Sequence, residues 1–163
     1  MANEMTELKI DMGLIAHYGN ADYIDGDMVV LDGIDKVLQV DGTFKFDMIM
    51  MVYCTKGRIQ FETNSNAYTA KAGDVNICLP SSTWENVMVS PDYDSKSVGV
   101  SSKAAQASVQ VNRDYLNLLG YVSHNPEIHL NEERQQMFLK YYANIAPDTY
   151  TQLRAHETLA NLV

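Results

Sequence analysis

The sequence predicts a mainly β protein in which a small antiparallel barrel is followed by helices. Between Phe44 and Ser101, apolar and polar residues alternate in short runs, as in strands with two unlike faces. Turn-forming residues separate these runs at Gly57, at Asn64 and Ser65, and at Gly73 and Asp74. Beyond Ser101 the apolar spacing becomes helical. Short strands at regular intervals indicate a sandwich or barrel.

Composition limits the size and the class of the protein. The chain has 163 residues, of which 46% are hydrophobic, so it can bury one sizeable core. We divide it into a barrel, residues 1–101, and a helical extension, residues 102–163. The formal net charge is -9. Binding to phosphate backbones requires clustered Lys and Arg, so the barrel is not expected to hold nucleic acid by itself.

The lack of targeting signals in the sequence and the setting of its two cysteines both favour a location in the cytoplasm. No apolar run approaches the length of a membrane span, and residues 1–4 lack the basic and apolar regions of a signal peptide. We therefore expect a cytoplasmic protein with no membrane partner. Cys54 and Cys78 both lie in apolar strand patterns, which predicts two buried, reduced thiols.

Two short strands are expected near the N-terminus. Residues 8–15 and 28–31 have strand-like patterns, and residues 17–27 between them are rich in turn formers. Asp41 and Gly42 predict a tight turn before the next strand.

Residues 44–53 are predicted to form one strand that is apolar on both faces, as expected between two covering layers. One face carries Phe44, Phe46, Met48, Met50 and Val52, and the other carries Ile49, Met51 and Tyr53. The further predicted strands are residues 58–63, 67–71, 75–79, 85–90 and 95–100.

Helices are predicted after the barrel. Residues 103–119 have helical spacing, with Gly120 as the expected stop. Residues 121–130 are expected to be non-helical because Pro126 interrupts them. Asn131 is expected to cap a second helix with an apolar stripe, and a third begins near Thr149. That last helix ends without a cap or polar tail, so we expect the chain to be part of a longer protein.

The strand and turn pattern resembles a cupin-like double-stranded β-helix, or jelly-roll barrel. Metal-binding cupins place His and Glu side chains at fixed points of this pattern. The corresponding positions here fall near Phe44, Phe46 and Met50, and at Trp84 or Glu85. Three apolar side chains do not bind a divalent cation, so no metal and no other cofactor is expected.

The inward-facing residues have two interpretations. They line a cavity for one small ligand, or they fill the barrel as an ordinary core. The residues concerned are Phe46, Met48, Met50, Phe61 and Trp84. Both interpretations stay open at this point.

Other polar groups give weaker signals. His124, Glu127 and His129 match no zinc signature, and we expect a surface or packing role for them, although Glu127 and His129 would share a face of an extended segment. His17 and His156 are isolated. No spacing predicts a catalytic triad or a phosphate-binding loop, so no catalytic residue is assigned.

Several segments together resemble the N-terminal domain of AraC-family transcriptional regulators. They are residues 51–68, residues 72–80, residues 98–102, residues 125–133 and residues 140–142. The resemblance extends from about residue 27 to the end. It implies a ligand-sensing and dimerisation domain that is not an enzyme. It also implies DNA binding only through a C-terminal helix-turn-helix domain that this sequence lacks.

The resemblance suggests a homodimer formed through the helical tail and a possible small-molecule effector. Packing or dimer contacts are expected at Met137, Tyr141, Ile145 and Leu153. Sugar-binding members have polar groups in the barrel, whereas the inward positions here are mostly Phe and Met. A stand-alone cupin enzyme, a metal-free small-molecule-binding cupin and a purely structural dimerisation module are the alternatives.

Overall fold

The computed structural model describes residues 7–18, 21–24, 26–38, 42–111 and 113–145. In chain order its elements are β1 (Glu7–Ile10), α1 (Met12–Tyr18), β2 (Ala21–Ile24), β3 (Met28–Asp32), a 3₁₀ turn (Ile34–Lys36), β4 (Thr43–Phe46), β5 (Met48–Lys56), β6 (Arg58–Thr63), β7 (Asn66–Lys71), β8 (Asp74–Cys78), β9 (Thr83–Val89), β10 (Asp94–Ser101), α2 (Ser102–Val111), α3 (Arg113–His124), β11 (Glu127–His129) and α4 (Glu132–Ile145).

Two sheets face each other across one core. The first has the strand order β1-β4-β9-β6-β7, and the second has the order β11-β8-β5-β10-β3-β2. Between β3 and β6, and again between β7 and β10, each successive strand lies in the opposite sheet. This alternation is the winding of a double-stranded β-helix. The mainly β, cupin-like jelly-roll barrel followed by helices is therefore confirmed.

The core lies between the sheets and is rich in aromatic rings. Trp84 of β9 stacks on Phe61 of β6 with ring centroids 4.0 Å apart, and Phe46 of β4 meets the indole edge-on at 5.2 Å. The alternate residues of β5, from Met48 to Cys54, complete this core from the second sheet. Burial of these side chains is the main favourable contribution to folding.

The N-terminal strand prediction for residues 8–15 is wrong beyond Ile10. Strand β1 ends there, and α1 begins at Met12, where the backbone amide of Leu14 donates to Asp11 Oδ1 at 2.9 Å. This Asp side chain caps the helix start, which outweighs the strand-like pattern. The turn-rich run 17–27 contains the additional strand β2. Asp41 lies outside the described residues.

The predicted strand 44–53 is two strands, β4 and β5, which lie in different sheets. The chain changes sheet at Asp47. Phe46 and Met48 nevertheless both face the core, because the two sheets enclose the same interior. The other predicted strands are confirmed to within two residues at their ends.

The predicted helix 103–119 is two helices, α2 and α3, and Gly120 does not end the second. Helix α3 continues to His124. A Cβ atom at Gly120 would meet nothing within 4 Å, so this glycine sits on an open helix surface. The helix ends before Pro126, as its effect on the preceding residue predicts. The prediction that residues 121–130 are non-helical is therefore wrong for residues 121–124, which belong to α3.

Asn131 caps α4, as predicted. Its Oδ1 accepts a hydrogen bond from the backbone amide of Arg134 at 2.9 Å. The third predicted helix, near Thr149, lies outside the described residues.

Candidate functional site

The five side chains predicted to face a ligand are packed in the barrel core. Each has an exposed fraction of 1% or less: Phe46, Met48, Met50, Phe61 and Trp84. Trp84 also lines a cavity of about 210 Å³ beside the Leu79–Ser82 turn. Their burial is compatible with a filled core, and their role in ligand binding stays a prediction.

The positions predicted to correspond to the metal ligands of metal-binding cupins carry mostly core side chains. Phe44, Phe46, Met50 and Trp84 are buried, and Glu85 is half-buried on β9. Within the described ranges, no group of three or more His, Cys, Asp and Glu side chains is arranged to hold a metal ion.

Among the residues that the structure describes, two polar side chains on the inner face of the second sheet have no hydrogen-bond partner. Asn76 of β8 and Ser97 of β10 are 1% and 0% exposed, and both amide atoms of Asn76 and the hydroxyl of Ser97 are unpaired. Val52 of β5 is the register partner of both and lies between them. Each buried, unpaired polar group costs about 1–3 kcal/mol. The barrel interior is therefore not uniformly apolar.

A polar cluster lies where the edge of one sheet meets the edge of the other. Strand β11 pairs with β8 so that His129 is opposite Asp74 and Glu127 is opposite Asn76. Thr69 and Lys71 of β7 border the same open cleft. We call Asp74, Glu127 and His129 the β11 cluster.

The β11 cluster is held together by its buried carboxylate. His129 Nδ1 lies 2.5 Å from Asp74 Oδ1, and the backbone amide of Lys71 donates to Asp74 Oδ2 at 2.9 Å. The Asp74 side chain is 4% exposed, whereas that of His129 is 64% exposed. Burial raises the pKa of Glu127, because it removes water from around the carboxylate. The negative charge of Asp74 and a hydrogen bond to Asp74 make smaller contributions in the same direction. Glu127 therefore keeps its proton to a higher pH than an unperturbed glutamate does.

The sequence predicted a surface or packing role for Glu127 and His129, together with a shared face if their segment is extended. The shared face of Glu127 and His129 is confirmed by strand β11. The interaction with Asp74, which is 55 residues away in the chain, was missed. No local pattern predicts it, because it depends on the pairing of β11 with β8.

His124 and His17 each lie in the last turn of a helix. His124 Nδ1 lies 3.0 Å from the carbonyl oxygen of Gly120 and 3.1 Å from Ser123 Oγ, so the ring belongs to the end of α3. His17 is exposed at the last turn of α1. His156 lies outside the described residues.

The predicted contact residues of the tail lie on α4 as far as the helix is described. Met137 is 64% exposed and Tyr141 is 55% exposed. The helical backbone extends to Ile145, whose side chain is not described, and Leu153 lies outside the described residues. Whether these residues form a dimer contact stays a prediction.

The adjacent face of α4 packs on the outer face of the barrel. Phe138 stacks at a tilt on Tyr53 of β5 with centroids 4.8 Å apart, and Tyr142 is covered by Lys96 Nζ at 4.8 Å from its ring. Tyr53 also donates to Gln135 Oε1 at 3.4 Å. The helix is thus fixed to the sheet through Phe138 and Tyr142, and the adjacent face with Met137 and Tyr141 is more than half exposed.

The two thiols are buried and unpaired, as predicted. Burial raises the pKa of Cys54 to about 11 and places that of Cys78 well above its usual value. Because the thiolate is the nucleophile, neither cysteine is suited to catalysis.

None of the described helices is long and apolar enough to cross a membrane.

No protein-family model matches the chain, and no curated protein matches it. The solved structures that are similar to it include three of low identity. A chain assigned as ethanolamine utilization protein Q from Salmonella typhimurium LT2 is 12% identical, over 50% of this chain and 65% of that one, with a TM-score of 0.36. The match thus covers slightly less than two thirds of the Salmonella chain.

The EutQ protein of Clostridium difficile is 12% identical, over 60% of this chain and 69% of that one, with a TM-score of 0.39. A predicted oxalate decarboxylase from Thermotoga maritima is 16% identical, over 56% and 75%, with a TM-score of 0.33. The fold assignment rests on the strand order described above.

Proposed function

We propose that this chain is the ligand-sensing and dimerisation domain of a cytoplasmic AraC-type transcriptional regulator. In this role it is not an enzyme, it forms a homodimer, and it binds DNA only through a separate helix-turn-helix domain. The segments that resemble this family support the proposal. So do the cupin-like barrel with apolar side chains at the metal positions and the helices that follow it.

The observation that carries the proposal is the two-faced packing of α4. Phe138 and Tyr142 attach the helix to the barrel, while Met137 and Tyr141 on the adjacent helix face are more than half exposed. Large exposed apolar side chains that cluster on one helix face are typical of protein interfaces. A second copy of α4 would cover this face in an isologous contact.

Sedimentation velocity with a matched pair of variants tests the dimer. Tyr141→Glu is expected to shift the protein from dimer to monomer at micromolar concentration, because a carboxylate would be buried in the contact. Tyr121→Glu on α3 is the control, since Tyr121 is 58% exposed and similar to Tyr141 in this respect. A wild-type monomer at high micromolar concentration would remove the dimer from the proposal.

A stand-alone enzyme is the second candidate, and the β11 cluster favours it. Two carboxyl groups in contact, one with a raised pKa, together with an imidazole at an open cleft are the components of general acid–base catalysis. Catalytic turnover that is lost in Glu127→Gln but kept in Glu7→Gln would favour this candidate over the regulator.

A further inference from the structure

An apolar groove lies between α4 and the outer face of the second sheet. It has a volume of about 350 Å³, within the range of small-molecule sites. The sheet contributes Met51, Val75, Ile77 and Ile128, and the helix contributes Met137 and Phe138. We call this the α4 groove.

Strand register explains why the groove is apolar. Ile128 of β11 is opposite Val75 of β8, and Ile77 is opposite Met51 of β5. In a strand, successive side chains alternate between faces. The polar members of β8 and β11 therefore point to the other side, and the outer face presents an unbroken apolar strip. The two methionines, Met51 and Met137, allow the strip to adapt to a ligand.

One cation borders this strip. Arg134 in the first turn of α4 lines the groove and is exposed. The ion pairs found in the described part of the chain use Lys9, Lys96 and His129, so the Arg134 guanidinium has no carboxylate partner there. In a chain of net charge -9, an unpaired guanidinium beside an apolar surface is complementary to a ligand that is apolar with one anionic end.

We propose that the α4 groove binds an amphipathic monocarboxylate, with its hydrocarbon chain against the apolar strip and its carboxylate paired with Arg134. This inference rests on the proposed sensor function and names the effector class and its place, outside the barrel interior. Because the groove is formed by α4 and the barrel together, occupancy can be coupled to the position of the helix that carries Met137 and Tyr141.

Calorimetric titration with decanoate and with its methyl ester tests the charge contact. Decanoate is expected to bind wild type more tightly than the ester by about fivefold, as for a partly exposed ion pair. Arg134→Gln should weaken decanoate by a similar factor and leave the ester unchanged. Arg113→Gln, which removes an exposed arginine of α3, is the control and should bind as wild type. Absence of binding, or equal binding of decanoate by wild type and Arg134→Gln, would overturn the proposal.

Methyl-labelled methionine NMR tests the location. Decanoate is expected to shift the methyl signals of Met51 and Met137 in the groove and to leave those of the buried barrel residues Met48 and Met50 unchanged. Shifts confined to the barrel methionines would overturn the proposed location.

Sedimentation of the same samples separates this inference from the sensor function. Arg134-dependent binding to a protein that stays monomeric would retain the groove and remove the dimer. A dimer that binds no decanoate would retain the dimer and remove the proposed ligand. In that case the groove would belong to the contact between copies.

Discussion

The Nδ1 atom of His129 lies 2.5 Å from Oδ1 of Asp74, and this contact attaches the strand between α3 and α4 to the barrel. The same attachment continues in the backbone, where the Leu130 amide donates to the Gly73 carbonyl at 3.1 Å. Gln135 of α4 then donates from Nε2 to the Leu130 carbonyl at 2.8 Å. The barrel edge therefore fixes where α4 begins.

Removing the buried carboxylate is expected to destabilise the protein more than removing its exposed partner. Asp74→Ala leaves the Lys71 amide without its acceptor, which should lower the free energy of unfolding by about 1–3 kcal/mol. His129→Ala removes a mostly exposed group and should cost about 1 kcal/mol or less. Urea unfolding measures both. An equal loss for the two variants would contradict this account of the cluster.

Glu127 is expected to make the stability of the protein depend on pH. Its pKa is raised from its ordinary value of 4.5, so the folded state holds the proton more tightly than the unfolded state. The stability contributed by the protonated carboxyl is fully present below 4.5 and is lost as pH rises through the raised pKa. Glu127→Gln cannot lose a proton and keeps the neutral form at all pH values.

The measurement is the difference in unfolding free energy between Glu127→Gln and wild type from pH 4 to pH 8. The difference should grow in favour of the variant as pH rises. The same series on Glu7→Gln, an exposed glutamate of β1, provides the background. A difference in unfolding free energy that does not change with pH would refute the raised pKa of Glu127.

The sequence predicts the barrel well because alternation and turn chemistry are local. The β6–β7 hairpin is one example. Asn64 and Ser65 lie between two alternating runs, which indicates a tight turn, and both residues adopt a positive φ in the structure. The Asn131 cap is another, since it depends on a side chain and an amide three residues apart.

Long-range pairing is what the sequence did not reveal. A three-residue strand such as β11 has too few residues for a periodic signal, and it exists because β8 offers an open edge. The contact between His129 and Asp74, and the strip that joins Ile128 to Val75 in the α4 groove, both follow from that pairing. The sequence likewise placed Phe46 and Met48 on one strand face, whereas they lie in two sheets that share a core.

Replacing Asn76 by an apolar residue of similar shape is expected to preserve or raise stability. Asn76→Leu removes two buried, unpaired polar atoms, and this should raise the free energy of unfolding by up to about 2 kcal/mol if packing is maintained. Ser97→Ala, on the same inner face, should have a smaller effect of the same sign. A loss of more than about 2 kcal/mol in chemical unfolding of Asn76→Leu would show that the amide has partners.

Both cysteines are expected to resist thiol reagents in the folded protein. Burial raises the pKa of Cys54 to about 11, and Cys78 is 1% exposed, so little thiolate is present or accessible at pH 8. Ellman's reagent should therefore label two thiols in urea and almost none in buffer. Rapid labelling of folded protein would contradict the described burial.

In the proposed function, this barrel and its helices are the sensor half of a transcriptional regulator. The most direct measurement is the nucleotide sequence of the gene beyond the codon for Val163. We expect the reading frame to continue into a basic segment with two helix-turn-helix patterns. A stop codon immediately after Val163 would contradict it.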